Sequence, residues 1–340
     1  VSERRPRRSW WKRRLWPSLV VVVAVAIAVA GALGLSARNG GDTPRLARTI
    51  PLGPRLGVPA AGFGSIWVPS GLKGTLYRID PDSGRVQARI ETGFSGYVQG
   101  GSHDQVVVGA GSVWYGSHDR GYVARIDPGT NRVTKRLNVG ATADLIAAGG
   151  RYVWDAEWQS QHLRLIDPVR GGVRASISAA ETISAVAYSG GAVWALDRAQ
   201  AGDRIVRLDE RTRKTRSLPL AGLTKLEPAD TYGHGAMTAF KGVVWIGLKG
   251  GVLAVNGQTG KLVHEIRLPG SEVVWLAGGG ARMYAVDRHR LYAIDVASGK
   301  VERAEAYSPG AENWGSIAVS DGSVWVAGWD TERLFRYSFD

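Results

Sequence analysis

One phrase returns seven times along this chain: a turn, then a short apolar run that ends in an aromatic. It reads Gly64-Ser65-Ile66-Trp67, Gly111-Ser112-Val113-Trp114, Arg151-Tyr152-Val153-Trp154, Gly191-Ala192-Val193-Trp194, Gly242-Val243-Val244-Trp245, Ala281-Arg282-Met283-Tyr284 and Gly322-Ser323-Val324-Trp325. Successive aromatics stand 47, 40, 40, 51, 39 and 41 residues apart. A unit of that length cannot bury an apolar face alone, and a period near forty residues is one four-stranded blade. Seven phrases predict an all-β fold, a seven-bladed β-propeller, with the repeated aromatics as core between blades.

A second phrase follows six of the seven first ones and supplies a hairpin turn. Asp80-Pro81-Asp82-Ser83-Gly84, Asp127-Pro128-Gly129-Thr130-Asn131, Asp167-Pro168-Val169-Arg170-Gly171, Asn256-Gly257-Gln258-Thr259-Gly260 and Asp295-Val296-Ala297-Ser298-Gly299 share it. The Asp or Asn opener caps the turn, proline presets φ, and the closing Gly or Asn accepts a left-handed backbone. Asp209-Glu210-Arg211-Thr212-Arg213 departs at its last residue, which implies a different turn or local strain.

Composition fits strands and tight turns: 46 glycines and 13 tryptophans against five phenylalanines. No cysteine is present, which excludes disulfides and thiolate metal sites. The net charge of +13 loses its nucleic-acid meaning once divided, because residues 1–16 hold seven Lys/Arg and one Glu. The remaining +7 is spread over a surface of mixed sign, so no nucleic-acid partner is expected.

Residues 1–16 read as a basic cytoplasmic segment. No charge occurs between Leu15 and Leu35, and residues 17–35 read as a transmembrane signal-anchor helix. The expectation is a single-pass protein of the cell membrane, with its N-terminus cytoplasmic and the propeller outside. Ala28-Val29-Ala30 or Ala30-Gly31-Ala32 offers a cleavage site, and Arg7-Arg8-Ser9-Trp10-Trp11-Lys12 resembles a twin-arginine export signal. Cleavage would release a secreted form. Residues 36–44 form a polar linker, and 45–340 are the propeller.

The start of the propeller is out of phase with its repeat. Arg45-Leu46-Ala47-Arg48-Thr49-Ile50-Pro51-Leu52-Gly53 matches Arg132-Val133-Thr134-Lys135-Arg136-Leu137-Asn138-Val139-Gly140, a fourth strand with no blade of its own. At the other end, Arg333-Leu334-Phe335-Arg336-Tyr337 matches a third strand. Pairing the two would close the ring and remove an open edge. The linker then enters on the face that bears the Asp-Pro turns, leaving the opposite face to point outward. Two longer connections, Gly93 to Gln105 and Ala221 to Gly235, fall on that outward side, where binding is expected.

Eleven residues before each aromatic stand Leu56, His103, Ala143, Ile183, His234, Val273 and Trp314, followed in three blades by Asp104, Asp144 and Ser184. This count places them beside the central channel. Nearby loops add His118, Asp119, Asp155, Glu157, Asp197, Asp287, Trp329 and Asp330. From these, His103, Asp104, His118, Asp144, Glu157, His234, Trp314 and Trp329 are the candidate ligand-binding set: a polar mouth with aromatic walls suited to an envelope ligand, peptide, glycan or protein. Histidine with carboxylate could also hold a metal, or each histidine could simply donate to a rim carbonyl. No Ser-His-Asp triad or phosphate loop is legible.

The blade grammar, Gly-Ser-Val-Trp followed by Arg-Ile-Asp-Pro, resembles bacterial seven-bladed propellers of the virginiamycin B lyase (streptogramin lyase) and YVTN-repeat superfamily. In the lyases a Pro-His-Gly/Ala-Ile phrase and a Trp-Phe-Thr-Glu phrase supply a His and a Glu that act with magnesium to open a cyclic depsipeptide by elimination. Gly233-His234-Gly235-Ala236 looks like the first phrase and Trp154-Asp155-Ala156-Glu157 like the second. They sit in different blades. The resemblance therefore implies His234, His103 and Glu157 as catalytic candidates with Mg2+ as cofactor, a metal-dependent C–O lyase. The residues themselves favour a non-enzymatic, membrane-anchored propeller that binds on its outward face.

Overall fold

The computed structural model describes residues 45–94, 104–117, 121–140, 142–143, 145–157, 160–227, 236–306, 315–328 and 331–338. Segments 1–16, 17–35 and 36–44 lie outside the described residues, as do His103, His118, Asp144, His234, Trp314 and Trp329. Among the described residues, no helix is long and apolar enough to cross a membrane.

Seven antiparallel sheets stand around one axis. The first blade runs outward through Ala60–Gly62, Ser65–Ser70, Thr75–Ile79 and Val86–Glu91, each bonded to the next. The second repeats it with Gln105–Gly109, Ser112–Ser117, Tyr122–Asp127 and Arg132–Asn138. Burial follows the period of two expected of a strand covered on one side: Arg132–Asn138 alternates exposed and half-buried positions, with only Leu137 fully buried. In the fifth blade the second and third strands merge as Val243–Asn256, bent at Gly250, whose φ of 74° is a left-handed value suited to glycine.

Ring closure is as the sequence predicts. Arg45–Pro51 lies antiparallel to Arg333–Ser338 as the fourth strand of the seventh sheet, with Leu46 opposite Tyr337 and Ile50 opposite Leu334. The backbone N–H groups of Leu52 and Gly53 then donate to the Glu332 carbonyl at 3.0 and 3.3 Å.

Each repeated aromatic packs against the following blade. Trp67 joins Val106, Val113 and Tyr115 of the second blade, Trp114 joins Ala143 and Ile146 of the third, and Tyr284 joins Ile317 and Val324 of the seventh. Trp325 completes the circle against Ile66, Val68 and Tyr77 of the first. All six tryptophans of this set are fully buried.

Arginines lie beside these rings. Arg78, Arg125 and Arg336 stand opposite Trp67, Trp114 and Trp325 in strand register, their guanidinium carbons 5.0, 5.9 and 5.4 Å from the ring centres. Each Nε donates to a serine two residues before its tryptophan, Ser65, Ser112 or Ser323. Each Nη1 then crosses to a turn carbonyl of the next blade, on Pro128, Pro168 or Asp82. The arginine of the Arg-Ile-Asp-Pro phrase is thus an inter-blade staple.

The turn openers act as caps. Oδ1 of Asp80, Asp127, Asp167, Asp209, Asn256 and Asp295 accepts the backbone N–H three residues on, at 2.7–2.9 Å. The fourth blade has this same turn and resolves its alternative in favour of strain: Arg213 takes φ 60°, like Asn131 at 56°. Its guanidinium stacks 5.8 Å from Tyr152 and 5.9 Å from Trp154, and its Nε donates to Glu210 O, contacts that offset the backbone cost.

Candidate functional site

Because strands alternate in direction, the inner-to-second and third-to-outer turns share one end of every blade, and the remaining connections form the opposite, mouth end. The carboxylates nearest the mouth are held by the blade framework. Asp104 is buried beside Tyr115, whose hydroxyl donates to Oδ2. Its carbonyl accepts the Val58 N–H at 2.9 Å, and a Cβ at Gly57 would sit 2.2 Å from that oxygen, so glycine is required there.

Asp155 accepts from Arg164 Nε at 2.6 Å, and Arg164 Nη2 donates to Thr142 O at 2.6 Å, with both side chains buried in the third blade. Asp197 accepts the N–H groups of Glu181 and Thr182 on one oxygen, at 2.9 and 2.8 Å, and Arg204 Nε on the other at 2.6 Å. That last bond raises the Arg204 pKa. Asp287 accepts the His289 and Arg290 N–H groups at 2.7 Å and the Tyr292 hydroxyl at 3.0 Å. Burial, then the Asp287 charge, pushes the Tyr292 hydroxyl up to about 12. Such charge-assisted caps stiffen the loops they close.

Glu157 differs. It is half-buried just past the second strand of the third blade, Tyr152–Ala156. Its carbonyl accepts the Ser160 N–H at 3.0 Å, while its carboxylate bonds to no described residue.

The central channel encloses about 320 Å³ and is lined by the middles of all seven inner strands. The polar side chains among the lining residues include Gln105, Thr238 and Tyr188; among the described residues no histidine or carboxylate lines it. Gln105 Oε1 accepts the Ile146 N–H at 2.9 Å. Burial and the nearby Glu210 carboxylate push the Tyr188 hydroxyl well above its usual range. A channel of this size can hold a small ligand.

One placement read from the sequence needs correcting. Leu56, Ala143, Ile183 and Val273, four of the seven positions counted back from the aromatics, do not face the channel. They are buried in the clusters between blades. The residues two to five places further on line the bore, because the inner strand begins inside the wedge where neighbouring sheets meet. Ser184 is likewise buried, its hydroxyl on Leu196 O at 3.3 Å. Of the eight candidate ligand residues only Asp104 and Glu157 are described, and the structure does not bring them into contact.

Sequence reasoning passed over Tyr115, Arg164, Arg204 and Tyr292, the partners of the buried carboxylates. Hairpin register carries the signal: Gln105 pairs with Gly116, which sets Tyr115 beside Asp104. Among the described residues no three His, Asp or Glu gather as metal ligands. Asp155 and Asp197 are paired with arginine and an Asp104 oxygen is occupied by the Tyr115 hydroxyl, so these described carboxylates do not form a Mg2+ site.

No protein-family model matches the chain, and no curated protein matches it. Solved structures do. A selenomethionine-substituted virginiamycin B lyase from Staphylococcus aureus superposes with a TM-score of 0.64 at 12% identity, over 86% of this chain and 99% of that one. A streptogramin B lyase gives 0.65 at 15%, over 88% and 97%. The computationally designed Ika8 protein gives 0.55 at 14%, over 88% and 98%. At such identities likeness speaks for the fold. This chain has the propeller fold that it shares with the virginiamycin B and streptogramin B lyases.

Proposed function

We propose that the chain is a membrane-tethered, extracytoplasmic propeller that binds a ligand or protein partner on its mouth face without turning it over. The observation that carries this reading is the commitment of four of the described mouth carboxylates. Asp104, Asp155, Asp197 and Asp287 are spent on structural bonds. Bonds of this kind hold the described connections at Thr182, Arg198 and His289 in place, which lowers the entropic cost of binding there. The uncharged run from Leu15 to Leu35 supports the tether.

The test is a thermal-shift screen of the ring with envelope peptides and glycans, with and without magnesium, since a ligand of the native form raises Tm. His103→Ala with His234→Ala is expected to weaken binding at least ten-fold. Magnesium-dependent turnover that requires either histidine would overturn the reading. For the tether, the full chain is expected to stay in the membrane pellet through alkaline carbonate washing.

A second reading is a magnesium-dependent lyase. It is favoured by the lyase fold and by Glu157, whose carboxylate is the uncommitted one in the Trp154-Asp155-Ala156-Glu157 phrase. Under it, Glu157→Gln abolishes depsipeptide opening while leaving Tm unchanged; an inactive wild-type chain removes this reading.

A further inference from the structure

The face opposite the mouth carries a pattern that neither the fold nor the binding reading uses. Its turns project cations: Arg85, Arg132, Arg151, Arg170, Lys241 and Lys261 are all exposed, drawn from four blades. Exposed carboxylates on the same rim are Asp82, Asp321 and Glu302, the last bonded to Arg282 Nε at 2.6 Å. The turn-opening aspartates are tied to their own backbone, as described above.

Apolar side chains stand at the tips of the same turns. Val169 is 77% exposed and Phe63 is 44% exposed. Phe63 also has φ 52°, and Lys241 has φ 50°, each followed by a glycine at φ 64° or 76°. Two-residue hairpin turns with this backbone favour Asn, Asp or Gly at the first position. The seventh blade follows that preference with Asp321-Gly322. An exposed phenylalanine and an exposed lysine in strained conformations are therefore poor choices for folding, and strain of this kind points to another use.

We propose that the turn face docks on an anionic lipid bilayer, its cations on headgroup phosphates and Phe63 and Val169 in the interface. Arg45, the first described residue of the closing strand, starts at this face opposite Ser338, and the apolar run from Leu15 to Leu35 lies 10 residues upstream in the sequence. A short tether holds the face within reach of lipid, and this is what favours a bilayer over a soluble polyanion. The choice of lipid thus rests on the tether reading. Cations with a few apolar tips fit a reversible surface contact, weak alone and strengthened by an anchor.

The test uses the ring alone, Thr43–Asp340, which contains the closing strand and is a compact unit by itself. It is mixed with phosphatidylcholine vesicles, with and without about 30% phosphatidylglycerol, at low and high salt. Expected is co-sedimentation with the anionic vesicles alone, lost at high salt. Arg132→Gln and Lys261→Gln should each weaken partitioning about five-fold. Phe63→Gly should weaken it several-fold while leaving Tm equal or higher, because glycine relieves the positive φ. A merely structural Phe63 would not separate those two readouts. No partitioning, equal partitioning to neutral vesicles, or capture by heparin without lipid binding would each overturn the proposal. Because the full chain tests the tether by carbonate washing and the ring tests the face, either can fail alone.

Discussion

Removing the residues before Pro54 takes away the closing strand and should open the ring. Ile50 and Leu52 are 7% and 8% exposed in the cluster that holds Trp325 and Leu334, and burial of such side chains stabilises by about 1.5–3 kcal/mol each. The Leu52 carbonyl also accepts the Tyr77 hydroxyl at 2.6 Å, and the ladder to Arg333–Ser338 is lost with it. At about 1 kcal/mol for each net hydrogen bond, the total exceeds ~6 kcal/mol, comparable to the whole stability of an ordinary domain. Ile50→Ala alone should cost about 2–3 kcal/mol, near the low end for a buried isoleucine because its strand is outermost. Urea unfolding of Thr43–Asp340 variants measures both, and light scattering over a concentration series follows association through the bared edge of Arg333–Ser338. A truncated ring that stays monomeric and unfolds within about 1 kcal/mol of the parent would refute the reasoning.

The remaining predictions concern the blades and their turns. Trp114→Ala should destabilise by about 3–5 kcal/mol in urea titration, since the ring is fully buried between two blades. Arg125→Met should cost about 1–3 kcal/mol by losing Ser112 and Pro168 O together; a neutral result would make the staple incidental. Hydrogen bonds from the turns hold the pKa values of Asp80, Asp127, Asp167 and Asp295 below the usual carboxylate range, and the Thr212 N–H leads in lowering Asp209 to about 2. A depressed folded-state value favours the fold above the ordinary 3.8 and loses that advantage as pH falls through the folded value. Melting temperature should therefore drop on acidification across that interval, and Asp209→Asn, which mimics Asn256, should flatten its share of the slope. An unchanged acid limb in that variant would remove the turn from the account.

Much of this architecture was legible because it repeats. Seven aromatics at spacings of 39 to 51 residues reveal the number of blades, and an orphan match between Arg45–Gly53 and Arg132–Gly140 foretells how the ring fastens. The turn at Arg213 was harder, since propensity counts against arginine at positive φ and only the stack on Tyr152 and Trp154 explains its tolerance. The arginine staples were in view as part of a repeated phrase, yet their reach to the next blade depends on how sheets face one another. The site was least legible. Counting residues along a strand locates its start but not which way a side chain points, so Leu56 and Ala143 proved to be core. Likewise, spacing places Asp155 and Asp197 near the mouth, but only the strand pairing shows the arginines set against them.

The fastening of Arg45–Pro51 to Arg333–Ser338 sets a timetable for biogenesis. The earliest strand of the propeller to emerge during synthesis must remain unmatched until Arg333–Ser338 has been made. Six blades can assemble from neighbours in order, but the seventh waits on a contact spanning nearly the entire ring, the kind that forms slowly. In that interval two strand edges stand open to other chains.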